Sequence, residues 1–439
     1  MMAQKHPTKR AVMGWIVLAL LVALAVPALA AAAQPVTVKM IEFNRLEEIE
    51  WQRAVVERFN AERSDIQIEL VSQAGSSLVN KMLTMLAAGD PLDIGYHDPN
   101  EINVWGRQGI AMDLQPYLDR EPADSPFREF FPAAMDLHVV NGRRYGIPLD
   151  LQTQAWFYSE TALDEAGLPY PGPDWTWQEL ADWGRQLSID RNGDGTIDRW
   201  AMRFPQWYHW IAILWAYGAE VVDDAKYPTR FAGYTDEMQE ALQFMANLVQ
   251  TQVMAPPGLI GGQTADNIMR QQNIAMAIGN ALYMQHAVRA EAETGLPWNV
   301  TRLPKGPTGQ RPAILNALGW FIFREARNPD AAWEVIRYFS SAESMELSVR
   351  MRGTMVPHRT VTQEVWPYAY ESPRDRHVFI EAIVEGSRGI PNLTGTGLTA
   401  WAQNTERIVR GDMPMTEGLE AMRLGIENWI REQQQGAVQ

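Results

Sequence analysis

From Val36 the chain alternates between two hydrophobic periods, and that alternation constrains the fold class before anything else is considered. Val36, Val38 and Met40 alternate with polar neighbours, as a half-buried strand requires, and Ile66, Ile68 and Leu70 repeat the pattern thirty positions later. Between them Trp51, Val55 and Phe59 recur at four-residue spacing, while Glu47, Glu48, Arg53 and Arg58 are left to face water, which predicts an amphipathic helix. Ser76 and Ser77 can cap a second helix with the apolar face Leu78, Met82, Leu83 and Leu86, and Gly89 can end it. Leu92 to Tyr96 supplies a third strand. Strand, helix, strand, helix, strand opens an α/β sheet with right-handed crossovers.

The alternation continues downstream. Ile274 to Ile278 and Ala313 to Phe323 are apolar runs with strand character, and Asn328 with Pro329 predicts a helix start, with Ala332, Ile336 and Phe339 on the buried face. Leu419, Met422, Ile426 and Trp429 close the chain at helical spacing. This is more than one sheet holds, so two α/β lobes are expected, with crossings at the Gly- and Pro-rich stretches Gly146–Pro148 and Leu303–Pro307. No internal repeat is evident, and low complexity is confined to the leader and the tail Gln433–Gln439.

The N-terminus predicts export. Lys5, Lys9 and Arg10 precede an apolar run from Ala11 to Ala25, and Ala28-Leu29-Ala30 and Ala31-Ala32-Ala33 each offer the small-x-small pattern of a cleavage site, so residues 1–33 read as a cleavable signal peptide. The apolar run is short for a membrane span. The chain has 0 cysteines, which leaves no thiol to carry lipid and none for disulfides. An exported domain of this kind must rely on a large core, for which ~400 mature residues suffice. The expected compartment is the periplasm. Removing residues 1–33, which carry three cations and no acid, takes the net charge from -15 to -18, and such acidity argues against a nucleic-acid partner.

Several stretches together carry the pattern of one protein family. Ala87-Ala88-Gly89-Asp90-Pro91-Leu92-Asp93-Ile94 resembles the family's step out of the second helix, with Leu92 inserted between Pro91 and Asp93. Asn141-Gly142-Arg143-Arg144-Tyr145-Gly146-Ile147-Pro148 is similar to the segment that leads into the second lobe. Trp156-Phe157-Tyr158-Ser159, Glu165-Ala166-Gly167-Leu168-Pro169 and Asp174-Trp175-Thr176-Trp177-Gln178-Glu179-Leu180 follow in the family's order. Gln272 to Gly279, Asn328 to Trp333 and Gly353 to Pro357 complete the likeness, the first without the usual Gly-Lys. Together these stretches resemble the family 1 extracellular solute-binding proteins of ABC importers, the group that includes maltose-binding and related sugar-binding proteins. The resemblance implies a two-lobed periplasmic-binding-protein fold with a hinge, a ligand held in the interlobe cleft, and a membrane permease that receives the loaded, closed form. The expected division is 34–148 for the first part of lobe 1, 149–312 for lobe 2, 313–358 for a return to lobe 1, and 359–439 for C-terminal helices on lobe 2.

Ligands of open α/β sheets sit beyond the carboxyl ends of the strands. That rule selects Asn44, Gln73, Tyr96 and Asp98 on the first lobe. On the crossing and the second lobe it selects Asp150, Gln152, Trp207, Trp210 and Tyr283, and on the returning strand Asn316 and Trp320. Amide and carboxylate side chains match paired sugar hydroxyls, and flat rings cover sugar C–H faces. Trp51, Trp183, Trp333 and Trp429 instead fall on amphipathic helices and are expected in the core. The ligand is expected to be a neutral mono- or oligosaccharide or a polyol, because the chosen positions are acidic or neutral where a phosphate would want cations.

Asp190, Asn192, Asp194, Thr196 and Asp198 alternate around Gly193 and Gly195 as in a calcium-binding loop, although Ala201 stands where such loops carry their closing glutamate. A structural calcium is expected there, and a metal-free Asn-Gly/Asp-Gly turn is the alternative. An exported glycoside-active enzyme would need two carboxylates across one bond. Asp90, Asp93, Asp98 and Asp150 allow such a pair numerically, but no spacing singles one out. A calcium-stabilised adhesion module would predict repeats, which the chain lacks. The remaining expectations are no enzymatic activity, no organic cofactor, and a monomer.

Overall fold

The computed structural model describes residues 34–436, apart from 74–76, 91, 204–208, 258 and 260–264. The expected leader, Ser76 and Trp207 lie outside the described residues.

Two sheets carry the fold. The first contains β1 (Val36–Ile41), β2 (Ile66–Val71) and β3 (Ile94–His97), with β1 parallel to both neighbours. Its helices form where the periodicity predicts them, at Leu46–Glu62 and Leu78–Ala87, the second capped by the Ser77 hydroxyl, which accepts from the Asn80 N–H. Trp51, Val55 and Phe59 are buried on the first helix. After a small hairpin of β4 (Val139–Val140) and β5 (Arg143–Arg144), β6 (Ile147–Pro148) reaches the edge of the first sheet. The second sheet is built on β7 (Gln152–Ser159), β8 (Trp200–Arg203), β9 (Ile274–Asn280), β10 (Trp298–Thr301) and β11 (Ile314–Asn316). The chain then returns to the first sheet as β12 (Gly319–Ile322), and β13 (Arg388–Gly389) later joins the second beside β11. The strand orders are β2-β1-β3-β12-β6 and β13-β11-β7-β9-β8, with β10 on β7. The closing helices Gly395–Arg410 and Met415–Gly436 bury Trp401, Leu419, Met422, Ile426 and Trp429 in the second lobe's core.

Three segments pass between the lobes, and they bond to one another. Leu149 N–H donates to the Leu318 carbonyl at 2.8 Å, and Leu151 N–H to the Met355 carbonyl at 3.0 Å. Residues 149–151, 317–318 and 353–358 therefore form one hinge. His138 lies beneath it with Nε2 3.2 Å from the Ala317 carbonyl, and burial lowers its pKa to about 3, so it is neutral there.

The run Ala313–Phe323 is not the single returning strand that its hydrophobicity suggests. It splits at Ala317–Leu318 into β11 and β12, which belong to different sheets, so Asn316 sits on the second lobe and Trp320 on the first. Buried strands read as continuous apolar runs, and nothing in such a run marks where it changes sheets. Leu303–Pro307 is likewise no crossing. Lys305 N–H donates to the Trp175 carbonyl and the Lys305 carbonyl accepts from Trp177 N–H, which fixes this loop to the second lobe. Its prolines mark a turn that packs on Trp175 rather than a passage between lobes.

Gly353 opens the third crossing with φ +62, and a Cβ there would lie 1.3 Å from the Tyr370 hydroxyl oxygen. Gly353→Ala is expected to lower stability by about 2 kcal/mol, from left-handed backbone strain together with displacement of Tyr370. Thermal unfolding checks this, and an unchanged Tm would mean that Tyr370 can move away at no cost.

Candidate functional site

The carboxyl ends of β1, β3, β8, β9 and β11 meet at the hinge, together with the start of β7. Asn44 lies exposed in the turn after β1. Gln73, after β2, is buried, and its Nε2 donates to the Glu42 carbonyl and to the Tyr96 hydroxyl. Burial pushes the Tyr96 hydroxyl up to about 12. Gln73 and Tyr96 thus form the floor of the first lobe's face. Asp98 begins the helix Pro99–Arg107 without capping it, and its Oδ1 accepts from Asn316 Nδ2 at 2.9 Å. That bond joins the end of β3 to the end of β11, one residue from each lobe.

Gln152 and Asn280 face each other at the second lobe's rim, paired through Asn280 Nδ2 donating to Gln152 Oε1 at 3.2 Å. Asn280 Oδ1 in turn accepts from Leu282 N–H at 3.1 Å. Tyr283 follows on the helix Tyr283–Thr294, with Arg203 from the end of β8 bonded to its hydroxyl.

Asp150, expected as a ligand contact, lies inside the hinge at 1% exposure. Its Oδ1 accepts from Leu318 N–H at 2.8 Å, and its Oδ2 accepts from Gln152 Nε2 at 3.1 Å. Burial raises its pKa to about 6, opposed by Arg352. The Arg352 guanidinium is 3% exposed and lies 3.9 Å from Asp150 and 3.5 Å from Glu48. It also stacks over Trp51 with its carbon 4.7 Å from the ring centroid. Planar, weakly hydrated guanidinium suits such a position, where ammonium would not.

The aromatic expectations fare worse. Trp320 is 0% exposed in β12, enclosed by Phe43, Tyr96 and Phe339, and cannot form a ligand platform. Trp210 is buried in the second lobe's core, because the helix His209–Tyr217 is apolar almost all round. Trp51, Trp333 and Trp429 are buried as expected, and Trp183 packs partly buried against the second core. Arg352, Arg203 and Asn280 enter the region unannounced, and Glu48, expected to face water, instead has its side chain 13% exposed beside Arg352. Asn280 ends the strand beyond which Tyr283 was selected, and Arg352 directly precedes the left-handed Gly353 of the third crossing.

The Asp190 loop is exposed, and its side chains serve its own backbone. Asp190 accepts from the N–H groups of Gly193 and Gly195, Asn192 from Asp194, Asp194 from Thr196, and Asp198 from Arg191. Among the described residues no three His, Cys, Asp or Glu side chains cluster closely enough to hold a metal ion. As placed, these carboxylates do not converge, and calcium would have to draw them inward. No helix among the described residues is long and apolar enough to cross a membrane.

Residues 46–346 match the family of bacterial extracellular solute-binding proteins. A putative binding protein of Brucella abortus is 24% identical over 288 residues, covering 65% of this chain and 67% of that one. A lactose-binding protein of Rhizobium radiobacter is 22% identical over 292 residues, 64% of each chain. Among solved structures, an ABC substrate-binding protein of Listeria monocytogenes in complex with cycloalternan superimposes with a TM-score of 0.76 at 18% identity, covering 90% of this chain and 99% of that one. That likeness shows the two-lobed fold.

Proposed function

Given that the chain belongs to the bacterial extracellular solute-binding proteins, we propose that it captures a neutral sugar, oligosaccharide or polyol between its lobes and delivers it to the membrane permease of an ABC importer. The observation that carries this reading is the hydrogen-bonded meeting of strand ends at the hinge, where Asp98–Asn316 joins the two lobes and Gln152–Asn280 adds an amide pair at the rim of one of them. Amides supply both donors and acceptors, which is what a polyhydroxylated ligand needs. The lactose named for one relative and the cycloalternan bound by another agree with a saccharide.

Two of the candidate carboxylates support a binder rather than an enzyme. Hydrolysis needs an acid and a second carboxylate across a scissile bond, whereas Asp150 is held by the hinge backbone and Asp98 by Asn316. Export to the periplasm through residues 1–33, without a lipid anchor, and a monomeric state belong to the same proposal. So does calcium at the Asp190–Asp198 loop, supported by the alternation of oxygen-bearing residues alone.

The test is thermal unfolding of residues 34–439 against monosaccharides, oligosaccharides, polyols and glycerophosphodiesters, with and without calcium and chelator. A ligand of the folded state at a hundredfold excess over Kd is expected to add about 2.7 kcal/mol of stability and to be recovered unchanged. Cleaved ligand would favour the enzyme, a response to glycerophosphodiesters alone would displace the sugar, and indifference to chelator would remove the calcium.

A further inference from the structure

We propose that Asp150 is a positioning residue that fixes which atoms the cleft-facing amides of Gln152 and Asn280 offer to ligand. The proposal rests on the interlobe binding reading and on which atoms of this cluster can donate and which can only accept. An ionised carboxylate can only accept hydrogen bonds and a backbone N–H can only donate. Asp150 Oδ2 stands at one end of a chain of hydrogen bonds and Leu282 N–H at the other, with Gln152 and Asn280 between them. With both ends fixed, each amide has one orientation. Gln152 must turn Nε2 to Asp150 and Oε1 to Asn280, and Asn280 must turn Nδ2 to Gln152 and Oδ1 to Leu282. What is left for a ligand is the second hydrogen on each amide nitrogen and the spare lone pair on each oxygen.

The anchor is well secured. Asp150 Oδ1 is held by Leu318 N–H, so the carboxylate cannot swing away without breaking the bond between two hinge segments. The charged groups that face it are Arg352 from the helix Ala342–Arg352 and Glu48 from the helix Leu46–Glu62, with the Arg45 charge beyond them. Arg352 favours the ionised form, while burial and Glu48 oppose it, which leaves Asp150 able to take up a proton near pH 6. A protonated Asp150 can donate. Its O–H then competes for Gln152 Oε1, and the orientation of the two amides is held from the Leu282 end alone. Hydrogen bonds in a part-buried chain of one polarity strengthen one another, so a change of role at one member is felt by the rest.

The relay can be read without any ligand. In residues 34–439 labelled with 15N, the side-chain amide resonances of Gln152 and Asn280, identified by their loss in Gln152→Glu and Asn280→Asp, are expected to shift together between pH 7.5 and 5 with a midpoint near 6. Asp150→Asn should place the Gln152 resonance at its acid position at pH 7.5 and abolish the titration; the asparagine can still accept from Leu318 N–H and Arg352 keeps Glu48 as a partner, so the variant should stay folded at a lowered Tm. Asn280→Asp, which leaves the hinge untouched, should move the Gln152 resonance by reversing the relay from its far end. For whichever panel saccharide the unaltered chain binds, Asp150→Asn should weaken binding about tenfold to a hundredfold, the range for a disrupted hydrogen bond to a charged group. Titration of Gln152 persisting in Asp150→Asn, or amides that stay fixed across the range in the unaltered chain, would overturn the proposal. Failure of the unaltered chain to bind any panel ligand would count against the sugar reading instead, since the amide resonances report the relay without ligand.

Discussion

Replacing Trp320 by alanine is expected to cost about 3–5 kcal/mol of stability, the range for emptying a large, fully enclosed core site. Trp320 is 0% exposed at the middle of the first sheet, with Tyr96 opposite it on β3 and Ile147 on β6. Its ring lies 5.4 Å from Phe43, 6.0 Å from Tyr96 and 5.4 Å from Phe339, all near edge-to-face, so truncation opens a cavity whose walls are themselves ring-packed and slow to collapse. Trp320→Phe should cost far less, about 1.5 kcal/mol or under, since it keeps an aromatic partner for those three rings. It also removes a buried indole N–H that has no hydrogen-bond partner among the described residues. Denaturant unfolding of both variants checks the ordering. Ligand affinity separates the two roles this residue could have: a platform would lose affinity in Trp320→Phe out of proportion to stability, and the packing predicts that it will not.

That residue also marks where the sequence stopped being legible. The first sheet could be read because alternating strands and four-residue helical spacing are local signals, and Trp51, Val55 and Phe59 are buried as their spacing requires. Two lobes were legible from the excess of elements over one sheet. The place where β11 gives way to β12 was not, since both strands are apolar on both faces, and Asn316 and Trp320 consequently seemed to share a strand although they lie in different lobes. Among the residues chosen at strand ends, Asp98 and Asn316 bond to each other and Gln152 bonds to Asp150. Arg352 had no local signature. Its role comes from standing 304 positions from Glu48 in sequence and 3.5 Å from it in space, a relation made only by the third crossing.

Arg352 is the position where a single change should be felt most by the hinge. Arg352→Met keeps the length and apolar stem that cover Trp51, and it removes the charge that lies 3.9 Å from Asp150 and 3.5 Å from Glu48. Breaking a buried ion pair by deleting one partner leaves the other uncompensated, and the expected loss at neutral pH is about 3–5 kcal/mol. The pH dependence identifies the cause. Asp150 already has its folded pKa raised from 3.8 to about 6, with Arg352 the largest influence holding it down. Without Arg352 it rises further. A carboxyl raised in this way favours the folded state most below its unfolded pKa and loses that contribution as pH rises through the folded value. The deficit of Arg352→Met relative to the unaltered chain should therefore be small near pH 4 and grow steadily toward pH 7 and above. Lost packing on Trp51 would instead give a deficit that does not change with pH. Adding Asp150→Asn to Arg352→Met removes one of the two stranded charges, so the double variant should be more stable at pH 7 than Arg352→Met alone, with a coupling of about 1 kcal/mol or more. Strict additivity at pH 7 would show that Arg352 and Asp150 do not sense each other, and the hinge would then be held by its backbone bonds alone.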